Sequence, residues 1–438
     1  MKFFDREEKI ANLRAIRAKS AAEAQFTVIT GRRRVGKTML VKHALGDEPF
    51  VYLFVSRKSE PELVEGFVEE VNQVLGDAVA PEVRSLEGFF RELFRIARSR
   101  PLTVFIDEFQ DFYKVSPSVF SVIQGLWDRN CETMRINLVV CGSVNAMMNR
   151  IFFNRKEPLY GRQTAVVRLS AFPVEVLKGI LRSHRRNFRP EDLLALWAIT
   201  GGVAKYVALL MDAGATDVQS MIDVVMSEDS FFLDEGRVLL SDEFGKDYTI
   251  YFSVLSAIAR GVTSRNEIEQ AVGCQIGGYL TRLEKDYHLI SKRLPFAAKT
   301  ARQVRYQIDD PFYRFWFRFI FRYDYMVQKG AFGLLKRIMK RDFAVFSGRA
   351  LEDYFSRKLV ESGEWSRVGN WWDRKGENEI DLIAENELDG RLIVAEVKRE
   401  RKRIDIGLLK SKFATFAKAT GRRSGVQPEF RTLSLEDM

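Results

Sequence analysis

The residues with the clearest chemical potential lie near the N-terminus, in a segment that carries glycines at fixed positions. Residues 31–38 have the sequence GRRRVGKT, which matches the pattern G-x-x-x-x-G-K-[ST] at every fixed position. Glycines in such a loop let backbone N–H groups surround phosphates, the lysine reaches the outer phosphates, and the hydroxyl ligates Mg²⁺. The segment therefore predicts a phosphate-binding loop. Its expected members are Gly31, Arg32, Arg33, Arg34, Val35, Gly36, Lys37, Thr38 and Met39.

Two adjacent acids end an apolar segment farther along the chain. The sequence VFIDE places Asp107 and Glu108 directly after apolar residues. An Asp at such a point holds Mg²⁺ together with Thr38, and a neighbouring Glu polarises the attacking water as a general base. Lys37 stabilises phosphate charge during the reaction. Ser143, at the end of VVCGS, is either a γ-phosphate sensor or a turn residue. Together these residues predict that ATP is bound with Mg²⁺ and hydrolysed.

The segments that carry these residues alternate between apolar runs and helical stretches. Five runs are apolar and rich in β-branched residues: residues 26–31, 50–56, 101–108, 136–143 and 164–170. Nearly continuous apolar strands separated by helices are typical of a parallel sheet covered on both faces. The phosphate-binding loop then connects the first strand to a helix, whose N-terminus adds partial positive charge. We expect an α/β fold of the P-loop NTPase class.

Several motifs occur in the order in which one family of ATPases has them. They are FFDRE, GRRRVGKT, FIDEFQDF, VVCGS, PLYGR and TGGVAKY, within residues 1–235. This part of the chain resembles the archaeal-type ATPase family of the AAA+/STAND group. The resemblance implies that Arg6 lies by the base of the nucleotide. It also implies that Arg162 faces phosphates, in its own chain or across a subunit interface, as a catalytic residue. A structural ion pair is the alternative role for Arg162. Where this chain has Asp5 and Ala204, members of the family more usually have glycine and proline.

The middle of the chain has a different pattern. Residues 173–235 are helical in pattern throughout, as the lid of this family requires. Residues 236–310 contain three short helical stretches and then two strand-like segments, the outline of a winged helix-turn-helix that reads DNA or serves as a spacer. We therefore expect a P-loop ATPase domain in residues 1–172, the helical lid, the winged-helix module, and a C-terminal α/β domain in residues 311–438.

Four residues of the last domain have the types and spacing of a metal-dependent nuclease site. Glu352 ends GRALE, which we expect to open a helix, while Asp381 lies on a strand and Glu396 and Lys398 form E-x-K on the next strand. A spacing of two residues places Glu396 and Lys398 on the same face of that strand. In a hairpin, Asp381 approaches Glu396 closely enough to share Mg²⁺ or Mn²⁺ with Glu352. The cation supplies hydroxide, and Lys398 orients it or neutralises charge.

A second resemblance supports this interpretation. The sequence IDDPF, followed by FWFRFIFRY, is similar to the opening of a domain that follows many archaeal-type ATPases. That companion domain is similar to PD-(D/E)XK nucleases, which implies a nuclease-like fold acting on DNA or RNA, controlled by the ATPase. The alternative is a signalling or scaffold ATPase whose C-terminal domain binds nucleic acid or protein without cutting. The aromatic run itself either stacks on bases or forms a buried helix.

The charge of the chain favours a polyanionic partner. The formal net charge is +10, and residues 311–438 contain 26 Lys and Arg against 19 Asp and Glu, a surplus of 7. Nucleic acid is therefore the expected partner, DNA more than RNA. The tail residues with the right charge for phosphate contacts are Lys410, Lys412, Arg422 and Arg423. A solvated helix face has the same composition.

Other features of the sequence limit the class to which the protein can belong. No segment is apolar enough to span a membrane, and the N-terminus lacks the pattern of a secretory signal. The three cysteines are far apart, which indicates a reducing compartment and no zinc site. We expect a cytoplasmic protein without a membrane partner. The family resemblance also admits a homo-oligomer with the nucleotide at or near an interface.

Overall fold

A computed structural model describes residues 4–46, 48–244, 248–298, 303–421 and 427–438 of the chain. Among the described residues, the chain divides into two compact units, one that ends at Ala171 and one that spans Phe172–Met438. No helix in the described ranges combines the length and the apolar character that a bilayer span requires.

The first unit is built around a five-stranded parallel sheet. Its strands are β1 (Gln25–Thr30), β2 (Val51–Phe54), β3 (Leu102–Asp107), β4 (Ile136–Cys141) and β5 (Ala165–Arg168). Their spatial order is β2-β3-β4-β1-β5, and all four pairs are parallel. Strands β1, β3 and β4 are buried along their full length, as expected of a sheet covered on both faces. The predicted parallel α/β sheet is therefore confirmed.

Helices cover both faces of this sheet. They are α1 (Glu7–Lys19), α2 (Lys37–Leu45), α3 (Glu60–Leu75), α4 (Leu86–Ser99), α5 (Phe112–Val115), α6 (Val119–Asn130) and α7 (Asn145–Phe153). The neighbouring residues Val28 and Ile29 of β1 belong to two different apolar clusters. Successive side chains of a strand point to opposite faces, so the sheet has a packed core on each side.

The second unit begins with five helices. They are α8 (Val174–His184), α9 (Pro190–Thr200), α10 (Ala204–Asp212), α11 (Val218–Val225) and α12 (Phe231–Phe244), which agrees with the predicted helical segment. The turn after α9 needs glycine, because Gly202 has φ +74° and a Cβ there would lie 2.5 Å from the carbonyl oxygen of Phe172. The Phe172 N–H donates to the Gly202 carbonyl at 2.7 Å, which holds this turn against the start of the unit.

Three helices and a two-stranded hairpin follow. The helices are α13 (Tyr248–Ala259), α14 (Arg265–Val272) and α15 (Gly277–Lys285), and the antiparallel strands are β6 (Ile290–Arg293) and β7 (Arg305–Ile308). Helix α14 begins with a capping box between Ser264 and Glu267. The order of these elements is the one predicted from the sequence. Arg302, which lies between these two strands in the sequence, is outside the described residues.

The C-terminal part combines helices with a mixed sheet. Its helices are α16 (Pro311–Phe319), α17 (Asp324–Gln328), α18 (Phe332–Glu361) and α19 (Ile406–Thr420). Its strands are β8 (Arg367–Trp372), β9 (Glu379–Glu385), β10 (Leu392–Val397) and β11 (Glu429–Leu433), in the order β11-β10-β9-β8. The pairs β8–β9 and β9–β10 are antiparallel, whereas β10–β11 is parallel.

Two expectations about this part need correction. GRALE does not open a helix, because α18 already begins at Phe332 and continues through that segment without a break. The predicted hairpin of β9 and β10 is present, and two strands that were not predicted, β8 and β11, extend the sheet on either side of it. Lys398 lies one residue past the end of β10, where its N–H donates to the Leu433 carbonyl at 3.0 Å.

The aromatic run at the start of this part forms a buried helix. Seven of the nine residues of α16 are buried, and the Trp316 indole N–H donates to the Leu233 carbonyl at 3.0 Å. A Cβ at Gly236 would lie 2.2 Å from the Trp316 ring, so glycine at that point lets the ring pack against α12. The run is therefore a packing element and not a surface on which bases stack.

Candidate functional site

The phosphate-binding loop connects the end of β1 to the start of α2. Gly31 has φ +147°, and a Cβ there would lie 2.2 Å from the Leu169 carbonyl oxygen, so only glycine fits. Gly36 has φ +96° and is the residue before the first turn of α2. The first N–H groups of a helix have no partner within that helix. Because the chain enters α2 through this turn, those N–H groups form the cradle expected for phosphates.

Lys37 is held across this loop. Its ammonium group donates to the Gly31 carbonyl at 2.8 Å and to the Arg32 carbonyl at 2.9 Å, and burial lowers its pKa. Val35 is buried and anchors the loop, whereas the Met39 side chain is half exposed on α2. Arg34 has φ +71°, a left-handed conformation that the loop imposes on a residue other than glycine. The predicted loop residues are thus gathered around one concave backbone segment.

The carboxylate of Asp107 lies at the end of β3 among uncharged donors. Its Oδ2 accepts from the Thr38 hydroxyl at 2.8 Å and from the Tyr52 hydroxyl at 3.3 Å. Its Oδ1 accepts from the Cys141 thiol at 2.9 Å. Burial raises the pKa of the Cys141 thiol, and the charge of Asp107 adds to that rise, so the thiol keeps its proton and remains a donor. Thr38 and Asp107 are the two residues expected to hold Mg²⁺, and the structure brings them together.

Glu108 follows in a left-handed conformation, with φ +54°, which turns its side chain away from β3. Its Oε2 accepts from the Ser143 hydroxyl at 2.6 Å and from the Gln110 amide at 2.6 Å. Gln110 is buried, and a Cβ at Gly142 would lie 2.0 Å from its Oε1, so the glycine makes room for the amide. Ser143 therefore contacts the predicted general base, and its role as a γ-phosphate sensor stays a prediction.

The two arginines assigned by resemblance occupy different surroundings. Arg6 is buried, burial lowers its pKa, and its guanidinium donates to the Ser170 carbonyl at 2.7 Å. Arg162 makes two hydrogen bonds to Asp128 on α6, at 3.1 and 3.3 Å. The structure thus shows Arg162 in the ion pair that was the alternative to a catalytic role.

A second group of charged side chains lies on β9, β10 and their neighbours. The Lys398 ammonium donates to Asp381 Oδ2 at 3.0 Å and lies 3.1 Å from Glu396 Oε1. The pairing Ala395–Leu382 in the β9–β10 ladder sets the adjacent Glu396 and Asp381 side by side. Burial raises the pKa of Asp381, and the charge of Glu396 raises it further. The predicted trio of two acids and a lysine is therefore assembled.

A further lysine contacts this trio. The Lys412 ammonium on α19 donates to both carboxylate oxygens of Glu396, at 3.0 and 3.1 Å. The expectation that Lys412 is available for phosphate contacts therefore needs correction, because Glu396 holds it. Lys410 on the same helix is exposed, and Arg422 and Arg423 lie outside the described residues.

Glu352 approaches the trio from α18. Burial raises its pKa to about 8, and the negative charge of Asp381 adds to the rise. Within the described ranges, no three His, Cys, Asp or Glu side chains are close enough together to hold a metal ion. In this conformation Lys398 and Lys412 balance the charge of Asp381 and Glu396. The metal set of Glu352, Asp381 and Glu396 stays a prediction.

Comparisons with known proteins identify the first part of the chain. Residues 3–210 match the family described as an ATPase domain predominantly from Archaea. Over these residues the chain is similar to P-loop ATPases of that family. The Walker-type ATPase PABY2304 of Pyrococcus abyssi has a similar structure, with a TM-score of 0.54 and 19% identity over 72% of this chain and 96% of that protein. At this identity the similarity concerns the fold, and it agrees with the sheet around which the ATPase domain is built.

A segment of the C-terminal part matches a second family, whose function is unknown. Residues 316–408, which include Glu352, Asp381, Glu396 and Lys398, match archaeal and bacterial proteins of unknown function. An uncharacterized protein of Methanocaldococcus jannaschii is 28% identical over 412 residues, which cover 90% of this chain and 87% of that protein. The similarity to this relative thus extends through both the ATPase domain and the part that follows it.

Several contacts of the ATPase domain were not predicted from the sequence. Tyr52, Gln110 and Cys141 hold the two acids, and none of them belongs to the phosphate-binding motif. Gln110 lies two residues after Glu108 in FIDEFQDF. This short separation was the one feature of the sequence that could have indicated its contact with Glu108. Cys141 and Tyr52 come from β4 and β2, the strands on either side of β3, and only the strand order brings them to Asp107.

Proposed function

We propose that ATP binding and hydrolysis by this protein control a metal-dependent nuclease site formed by Glu352, Asp381, Glu396 and Lys398. The observation that carries the nuclease proposal is the position of the Lys398 ammonium, 3.0 Å from Asp381 and 3.1 Å from Glu396. Two acids and a lysine on adjacent strands, with a third acid on a neighbouring helix, form the set that nuclease chemistry requires.

In the ATPase domain, Glu108 acts as the general base. Its carboxylate is oriented by the Ser143 hydroxyl and the Gln110 amide, so one oxygen is committed to these donors and the other is left to accept a proton from water. Lys37 places its charge over the outer phosphates. Thr38 and Asp107 would hold Mg²⁺, which when bound neutralises charge on the phosphate oxygens.

In the C-terminal domain, the proposed metal ligands are Glu352, Asp381 and Glu396. Carboxylate oxygens are the ligands that Mg²⁺ and Mn²⁺ prefer. The pKa values of Glu352 and Asp381 are raised first by burial and then by the negative charge of a neighbouring carboxylate. When bound, such a cation activates water and stabilises charge on a phosphodiester. Lys398, whose side chain is 39% exposed, is placed to neutralise the phosphate as the bond to it breaks.

Control by ATP is the part of the proposal that links the two sites. Between them in the sequence lie the helical segment and the three-helix module, which we assign as lid and winged helix in residues 173–235 and 236–310. P-loop domains change conformation between ATP and ADP states, and such a change can regulate a neighbouring domain. We also propose that DNA, more than RNA, is the substrate and that Arg162 serves catalysis only in a homo-oligomer in which its pair with Asp128 opens.

A specific observation supports a second candidate function. The carboxylate of Glu396 is already held by Lys398 and Lys412, so its charge is balanced within the protein. In this alternative the protein is a signalling or scaffold ATPase, and its C-terminal domain binds nucleic acid or protein without cutting.

Cleavage assays separate the two candidates. The purified full chain is incubated with Mg²⁺ or Mn²⁺ and with single-stranded, duplex and branched DNA and with RNA. We expect cleavage by the wild type, a loss of at least about 100-fold in Asp381→Ala because a metal ligand is removed, and no loss in Glu387→Ala, an exposed acid in the β9–β10 turn. Binding without cleavage of any substrate would support the second candidate and contradict the first.

A further inference from the structure

A cavity of about 390 Å³ lies in the C-terminal unit beside the proposed nuclease residues. Its walls come from the hairpin strand β7, from α16 and α18, and from β8 and β9. Glu352 and Asp381 form part of the wall. A ligand in this cavity is therefore next to the carboxylates to which the proposed function assigns metal binding.

The cavity is lined by more basic than acidic side chains. Four acids contribute to the lining: Glu352, Asp353, Glu379 and Asp381. Six arginines contribute as well: Arg260, Arg293, Arg305, Arg314, Arg318 and Arg349. The surplus of two positive charges in a confined space favours an anionic ligand, because guanidinium groups bind phosphate oxygens through several N–H donors at once.

Some of these arginines form ion pairs with acids of the protein, and others do not. Arg305 pairs with Glu379 at 3.1 Å, and Arg314 pairs with Asp353. In the part of the chain that the structure describes, Arg349 and Arg260 have neither a side-chain hydrogen bond nor an ion pair. Arg349 lies one helical turn before Glu352 on α18, and its positive charge acts on that carboxyl group. Its exposed guanidinium therefore stands beside the proposed catalytic acids, where it can also reach a phosphate.

The same walls offer a flat surface for a base. The Arg305 guanidinium lies over the ring of Trp372, 4.4 Å from its centroid, and both residues line the cavity. Trp372 is buried, so the plane available to a base is that of the half-buried Arg305 guanidinium, which the ring supports from below. Unpaired bases stack on guanidinium planes and on aromatic rings. The cavity therefore combines donors for a phosphate with a surface that accepts a base.

The size and the opening of the cavity limit what enters. A volume of about 390 Å³ is near the lower end of the range of ~300–1,000 Å³ for small-ligand pockets, which suits one nucleotide and excludes a double helix. The rim includes the exposed residues Arg260 and Val345, so the cavity is open to solvent and a chain attached to the bound nucleotide can leave through this opening.

We propose that this cavity receives one unpaired nucleotide of a nucleic-acid strand, with its phosphate bound by Arg349 and its base stacked beside Arg305 and Trp372. This inference rests on the proposed nuclease function, because it names the substrate of that site. The substrate class is a strand with unpaired nucleotides, either at an end or within a single-stranded stretch. The binding step itself requires neither metal nor ATP.

Fluorescence anisotropy with the full chain tests the proposal in EDTA and without nucleotide. The probes are a labelled single-stranded oligodeoxynucleotide and a blunt duplex of the same length. We expect the single strand to bind at least about tenfold more tightly than the duplex. Arg349→Ala should weaken single-strand binding about tenfold, because a charge-assisted hydrogen bond to the phosphate is lost. Arg337→Ala, an exposed arginine on the same helix that does not line the cavity, should leave binding unchanged.

The outcomes separate the cavity from the nuclease. Arg260→Ala at the rim provides a second variant whose folding is not at risk, and we expect it to weaken binding by about threefold, as for a partly screened contact. Equal affinity for single strand and duplex, or equal affinities of the Arg349 and Arg337 variants, would overturn the proposal. If the protein prefers single strands but cleaves no substrate, the cavity proposal stands and the nuclease function is wrong. If the protein cleaves without preferring single strands, the nuclease function stands and the cavity proposal is wrong.

Discussion

The two groups of acids in this protein are stabilised by different kinds of partner. In the ATPase domain, Asp107 and Glu108 accept hydrogen bonds from hydroxyl, thiol and amide groups, and Lys37 donates to loop carbonyls. In the C-terminal domain, Asp381 and Glu396 accept from the ammonium groups of two lysines. Neutral donors orient a carboxylate without cancelling its charge, whereas ammonium groups cancel it.

This difference has a functional consequence. In the proposed mechanism the carboxylates at the phosphate-binding loop act on Mg²⁺ and on the attacking water, and the side chains that donate to them are uncharged. A cation that binds Asp381 and Glu396 must first compete with Lys398 and Lys412. We therefore expect the ATPase site to bind its metal more tightly than the C-terminal site does. Weak metal binding at the C-terminal site would allow a conformational change to switch that site on or off.

The largest expected effect concerns the general base. Glu108→Gln keeps the hydrogen bonds from Ser143 and Gln110 but cannot accept a proton, so ATP turnover should fall by about 10²–10⁴-fold while ATP binding is retained. Steady-state phosphate release and equilibrium ATP binding measure the two quantities. Glu132→Gln, an exposed acid of the same domain, is the control and should hydrolyse ATP at the wild-type rate. Unchanged turnover in the Glu108 variant would show that another group is the base.

An intermediate effect is expected from the lysine that holds Glu396. Lys412→Met keeps the apolar stem but removes the ammonium that donates to both Glu396 oxygens, so the affinity for Mn²⁺ at the C-terminal site should rise about tenfold. Calorimetric titration of the full chain with ATP absent measures this affinity. Lys410→Met, on the exposed face of the same helix, should change nothing. An unchanged affinity in the Lys412 variant would mean that the lysine does not compete with the metal.

The smallest effect is on stability and depends on pH. The pKa of Glu352 is raised from 4.5 to about 8, so its contribution to folding is fully present below about pH 4.5 and is lost as the pH rises toward 8. Glu352→Gln has no charge to lose, so in EDTA it should be more stable than the wild type by about 1–2 kcal/mol at pH 8. Tm measured between pH 5 and pH 9 should show this advantage growing up to pH 8. A constant difference over that range would contradict the raised pKa.

The sequence predicts local motifs better than the contacts between distant segments. The match of residues 31–38 and the acids after an apolar run identified the ATP site, because both depend on neighbours along the chain. Cys141 was not predicted as a donor to Asp107, since it reaches that carboxylate only through the pairing of β3 with β4. The strand β11 was missed for the same reason, because it pairs with β10 across the whole of α19.

The start of α18 shows a different limit. Gly348 marked a helix start in the sequence, yet the helix passes through this residue, where a Cβ would meet no atom within 4 Å. Asp381, Glu396 and Lys398 were expected to lie together because a hairpin joins their strands, and the Lys398 ammonium does contact both acids. Lys412 was assigned to phosphate instead, because its contact with Glu396 depends on how α19 packs.

The central claim is that the ATPase domain controls the C-terminal site, and one comparison tests it most directly. Glu108→Gln is saturated with ATP in one sample and with ADP in another, and the rate at which each cleaves single-stranded DNA with Mn²⁺ is measured. We predict rates that differ at least fivefold, which corresponds to about 1 kcal/mol of differential stabilisation between two conformations. Glu108→Gln combined with Asp381→Ala should cleave in neither sample. Equal rates in the ATP and ADP samples would contradict the account and leave two independent activities on one chain.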